Sequence, residues 1–86
     1  MNTNSTLRQY QLEIEKLNEL LKSDEEIIQL RTKIKSASNA QLANNVITSA
    51  DYVREVNAAD QANQNKIIHQ LQLLQAQLNY QYTLGY

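Results

Sequence analysis

Asn44-Asn45-Val46-Ile47-Thr48-Ser49-Ala50-Asp51 is the stretch where one long run of helix-forming sequence stops and another begins. Asparagine is one of the few residues besides glycine that accepts a left-handed backbone. An Asn-Asn pair directly after Leu42-Ala43 therefore reads as a helix C-terminal stop. Thr48 restarts the chain: its hydroxyl can cap the free amides of a new first turn. Asp51, three residues on, can reach back to the cap and places negative charge at the positive helix end. On local grounds this is a hairpin corner of ordinary length. The sharper reading makes it a tip that docks on something else.

Working outward, the chain has 86 residues with one glycine and no proline, and 42% of it is apolar. So few helix breakers point to an all-α chain, a single long antiparallel two-helix coiled-coil hairpin over residues 1–86. The reading places helices over about residues 5 to 43 and 49 to 84, joined by a turn at 44 to 48. Each arm would be roughly 50 Å long at 1.5 Å per residue. Such a rod has little interior, so spare apolar surface calls for association into a bundle or incorporation in a larger protein.

Asn4-Ser5-Thr6 supplies a candidate cap for the first arm. Leu7, Tyr10, Ile14, Leu17, Leu21 and Ile28 then follow the three- and four-residue spacing of a coiled-coil seam, which Asp24 interrupts. A second stripe, Leu20, Ile27, Leu30, Ile34 and Ala37, widens the apolar face beyond what one partner helix needs. This stripe predicts self-association. The interspersed Glu, Asp, Lys and Arg residues of this arm, among them Asp24, Glu25 and Glu26, read as a solvated face.

Folding the chain back about Asn45-Val46 sets Leu20 and Leu21 opposite Leu71, Leu17 opposite Leu74, and Ile14 opposite Leu78. Near the turn the facing residues are Val53, Val56, Ala58, Ala59 and Ala62, small enough for close helix approach. The second arm is rich in amides, from Asn57 to Gln81, which suit a hydrated surface or the wall of an aqueous conduit. Tyr80, Tyr82, Gly85 and Tyr86 mark where the helix ends.

The net charge of -1 offers no electrostatic reason to bind nucleic acid or anionic lipid. Without cysteine there are no disulfides and no thiolate chemistry. No charged segment leading into an apolar core opens the chain, and no apolar run approaches the roughly 20 residues that span a bilayer. His69 is the only histidine; it shares a stripe with Leu73, Ala76 and Tyr80, and is read as packing or solvent-exposed rather than as a metal ligand. With no phosphate-binding glycine loop and no histidine base near the hydroxyls, the reading is of a non-enzyme with no cofactor and no metal.

The run Gln41-Leu42-Ala43-Asn44-Asn45-Val46-Ile47-Thr48-Ser49-Ala50-Asp51-Tyr52-Val53, followed by Leu74-Gln75-Ala76-Gln77-Leu78-Asn79-Tyr80, resembles the second, C-terminal periplasmic helical hairpin of TolC-like outer-membrane efflux proteins. Thr48 falls on the threonine of that family's Gly-x-x-Thr turn. Asn45 stands where the family has glycine, and Asp51 lies three rather than four residues after Thr48. The resemblance implies a trimeric exit duct with an outer-membrane β-barrel and a periplasmic α-barrel, exporting small molecules or proteins. This chain would be a fragment of it, lacking barrel strands. Its inferred role is a wall and docking element in the periplasmic portion, meeting a periplasmic adaptor protein through Asn45, Val46, Ile47 and Thr48. The alternative is a free-standing dimerising coiled coil that acts as a scaffold or regulator, without a duct.

Overall fold

The computed structural model describes residues 3–85. Two helices, α1 (Thr3–Ala43) and α2 (Ser49–Thr83), run antiparallel as a hairpin of 62 × 18 × 15 Å, and no strand occurs among the described residues. The expected helix bounds and turn are met to within a residue or two, with one difference. Asn4, Ser5 and Thr6 lie inside α1 rather than capping it. Tyr86 falls outside the described residues.

The seam is a heptad repeat without a break. In α1, Leu7, Tyr10, Ile14, Leu17, Leu21, Asp24, Ile28, Arg31, Lys35, Ser38 and Leu42 follow one another at alternating steps of three and four, and all are buried or half-buried. In α2 the same steps run through Tyr52, Glu55, Ala59, Ala62, Lys66, His69, Leu73, Ala76, Tyr80 and Thr83, again all buried or half-buried. Leu17, Ala59, Ala62 and Ala76 form the most enclosed apolar part. Small side chains at the inner positions of α2 let the two helices approach closely. Packing along this seam, more than helix propensity, stabilises the two arms.

The facing residues of the open half correct the folded-back alignment. Leu71, Leu74 and Leu78 do not meet Leu20, Leu21, Leu17 and Ile14; Leu71 is 63% and Leu74 52% exposed, and Leu78 is exposed as well. Leu73, Ala76 and Tyr80 take the inner positions instead. The reason is angular: residues one or two steps from an inner position are turned about 100° or 200° around a helix of 3.6 residues per turn. Matching residues only by distance from the turn ignores that rotation. Val53, expected to face α1 near the tip, is exposed for the same reason, whereas Ala59 and Ala62 are buried as expected.

Candidate functional site: the turn and the polar seam

The turn is closed by its own backbone. Asn45 has φ 59°, in the left-handed region. The Val46 N–H donates to Gln41 O at 2.8 Å and the Asn45 N–H to Leu42 O at 3.1 Å. These are the two crossed bonds of a Schellman stop, here built on asparagine rather than glycine. Thr48 then caps α2 from an extended conformation, φ -85° and ψ 163°. The Asp51 N–H donates to Thr48 Oγ1 and the Thr48 N–H donates to Asp51 Oδ2, each at 3.2 Å, completing a capping box. Arg54 Nη2 adds a 2.7 Å ion pair to Asp51 Oδ1.

These contacts hold the Asp51 carboxyl below its ordinary value of 3.8. The Thr48 backbone N–H is the largest cause and the Thr48 side chain the next, opposed by partial desolvation, with the Arg54 charge adding a smaller lowering. At the far end of α2, Gly85 has φ 96° and donates to Tyr82 O at 3.0 Å, so the helix stops where the glycine permits it.

The four tip residues are not equivalent. Val46 is 69% exposed and points away from the fold. Ile47 is half-buried and lines a small cleft of about 210 Å³ with Ser38, Gln41, Asp51, Arg54 and Glu55. Asn45 and Thr48 serve backbone geometry. Of the proposed contact residues, Val46 alone combines an apolar side chain with wide exposure.

Away from the turn, the seam contains charge that composition alone reads as surface. Asp24 does not interrupt the seam; it fills a seam position and is only 7% exposed. Its Oδ2 accepts from His69 Nδ1 at 2.5 Å, since a carboxylate can only accept and the ring must donate. Glu25 is not a free surface charge either: Oε2 accepts from Lys66 Nζ at 2.8 Å. Nearer the tip, Arg31 Nη1 lies 3.9 Å from Glu55 Oε2, an ion pair too long for a hydrogen bond, and that enclosed oxygen has no hydrogen-bond partner. At the open end Gln11 Nε2 donates to the Tyr80 hydroxyl at 3.3 Å. Sequence reading missed Asp24 because it matched apolar residues only. The continuing three-four count through position 24 was the available signal.

The second feature missed is the outer face of α2. Ile67, Leu71, Leu74, Leu78 and Tyr82 are all large apolar side chains and all exposed. Leu71, Leu74, Gln75, Leu78, Asn79 and Tyr82 line an open groove of about 540 Å³. Burying one leucine or isoleucine is worth about 1.5–3 kcal/mol, so leaving this row in water is a large forfeited stabilisation. The α1 stripe expected to be spare is divided: Ile27 and Leu30 are exposed, whereas Leu20 and Ile34 are half-buried. Apolar surface without a partner within the hairpin therefore lies mainly on α2.

Among the described residues no group of three or more His, Asp or Glu side chains converges, and no helix is long and apolar enough to cross a membrane. The class defined by this fold is an antiparallel two-stranded coiled-coil hairpin with a polar seam. No protein-family model, curated protein or solved structure matches the chain.

Proposed function

We propose that this hairpin is a wall and docking element of a larger helical assembly, a duct of the TolC-like kind in the periplasmic part of an outer-membrane efflux protein. The observation that carries the reading is the exposed Ile67-Leu71-Leu74-Leu78 row, which has no partner within the hairpin. An element meant to stand alone in water rarely leaves such a row uncovered. In a closed wall each hairpin has neighbours on its flanks, and a trimeric duct supplies them. The amides that flank the row, Gln70, Gln72, Gln75 and Gln77, are exposed and carry no charge, which suits a hydrated surface beside it. Val46 is the docking residue for a periplasmic adaptor, because it is apolar and exposed where the fold gains little from it.

The test uses the full-length parent protein in cells, with efflux, abundance and trimer content in the outer membrane measured together. Leu74→Glu is expected to lower trimer content and efflux. Val46→Asp is expected to lower efflux while abundance and trimer content stay normal. Normal trimer and normal efflux in both variants would remove the reading. A scaffold acting outside any duct, the second reading, is favoured instead if the chain forms a stable dimer by light scattering and Leu74→Glu converts it to monomer while efflux is untouched.

A further inference from the structure

The α2 helix has two faces that could meet α1, and the one chosen is the less apolar. Its inner face offers Ala59, Ala62, Lys66, His69, Leu73 and Ala76, whereas its outer face carries Ile67, Leu71, Leu74 and Leu78. In the open half, hydrophobic burial taken by itself favours turning α2 half a revolution so that the leucines face inward. Two things oppose this: the same rotation would bring Asn57, Asp60 and Gln64 of the tip half inward, and in the open half itself it would separate charged and hydrogen-bonding partners. On the observed face Lys66 pairs with Glu25, Glu55 lies near Arg31, and the His69 ring is hydrogen-bonded to Asp24. The sign pattern reverses along the seam, with acids on α1 at the first two levels and a base at the third. Turned half a revolution, α2 would leave Asp24 against leucine, and a carboxylate enclosed without a partner is strongly disfavoured.

We propose that the Asp24–His69 pair, assisted by Glu25–Lys66, selects which face of α2 packs on α1 and so holds the leucine row outward for another chain. The pair acts as a positioning device rather than as a source of net stability. A single polar layer setting alignment at the expense of stability is an established role for such groups in coiled coils. The inference is independent of what the outer row contacts, and it stands if the duct reading fails.

Thiol alkylation of the 86-residue chain tests it, since the chain has no cysteine of its own. Leu74→Cys and Ala76→Cys, made separately, report the outer and inner faces. In the otherwise unaltered chain Leu74→Cys is expected to label fast and Ala76→Cys slowly, matching exposures of 52% and 2%. With Asp24→Ala and His69→Ala together, the ratio of the two rates is expected to shift by roughly tenfold or more toward protection of Leu74→Cys, the factor carried by one charge-assisted hydrogen bond. His69→Asp alone should shift it in the same direction, and adding Asp24→His should restore the original ratio. Measurements are compared at equal helix content by circular dichroism and equal assembly state by light scattering. An unchanged ratio in the double-alanine chain overturns the proposal. Loss of protection at Ala76→Cys with no gain at Leu74→Cys also overturns it, because the pair would then supply stability without choosing a face. So does failure of the exchanged pair to restore the ratio.

Discussion

The tip half and the open half of this hairpin are built on opposite plans. From Tyr52 to Gln64 the inner positions of α2 include the buried Ala59 and Ala62, while the outward positions include Asn57, Asp60 and Gln64. Apart from Glu55, which lies near Arg31, and the exposed Val53, small apolar side chains are inside and polar ones outside, which favours the observed face. Beyond Ile67 the outward positions are the larger apolar ones, and the inner row begins with Lys66 and His69 before Leu73 and Ala76. The half nearest the turn is therefore specified largely by local groups, the Schellman stop, the capping box and small seam residues. The open half is specified only in contact with α1, where Asp24 and Glu25 find their partners. A coiled coil can thus be locally determined at one end and determined by pairing at the other.

The largest expected effect tests which leucines hold the open half together. Leu17→Ala removes a side chain that is 4% exposed and should destabilise the chain by about 2–5 kcal/mol in urea melts. Leu74→Ala in the same dilute conditions should change stability by about 0.5 kcal/mol or less, because it empties no interior. Equal losses in the two variants would break the comparison, since Leu74 would then have to lie against α1.

A smaller effect tests the local plan at the tip. Thr48→Ala removes the cap acceptor and should cost about 1 kcal/mol, with amide-exchange protection falling first at the start of α2. Asp51→Ala should cost less. Thermal melts of Thr48→Ala that match the unaltered chain would show that the turn is held by the Asn45 stop alone.

The smallest effect is a pH dependence confined to that same end. Asp51 has its folded pKa below the ordinary 3.8, so its contribution is fully present above that value and is lost as pH falls through the lowered folded value. The difference in thermal midpoint between the unaltered chain and Asp51→Ala should accordingly be constant from neutral pH down to about 4 and shrink below it. A difference that stays constant through pH 2 would mean that the ionised carboxylate is not what the capping box uses.

Much of this was legible before any coordinates. The absence of proline, the scarcity of glycine and the three-four spacing from Leu7 to Ile28 specify two long helices, because helix formation and amphipathic period are properties of neighbouring residues. Asn45 and Thr48-x-x-Asp51 place the turn and its cap for the same reason: every group involved lies within a few residues of its partner, and the distances are set by local backbone geometry. The exposure of Val46 is legible as a possibility, though not its difference from Ile47, which depends on the cleft beside Ser38 and Glu55.

What only the tertiary structure decided is the rotation of α2 about its own axis. Leu71, Leu74 and Leu78 were equal or better candidates for the seam by hydrophobicity, and counting back from the turn even aligned them with Leu21, Leu17 and Ile14. Asp24 looked like a break in the pattern for the same cause. Its place inside the seam depends on His69, 45 residues away, and no local propensity carries information over that separation. Local sequence settles whether a helix forms and where it stops, since those energies come from residues within a turn or two. Which side of that helix faces its partner is a sum over pairs that meet only after the chain has folded back, and here that sum includes the alanine face near the turn and the polar pairs of the open half.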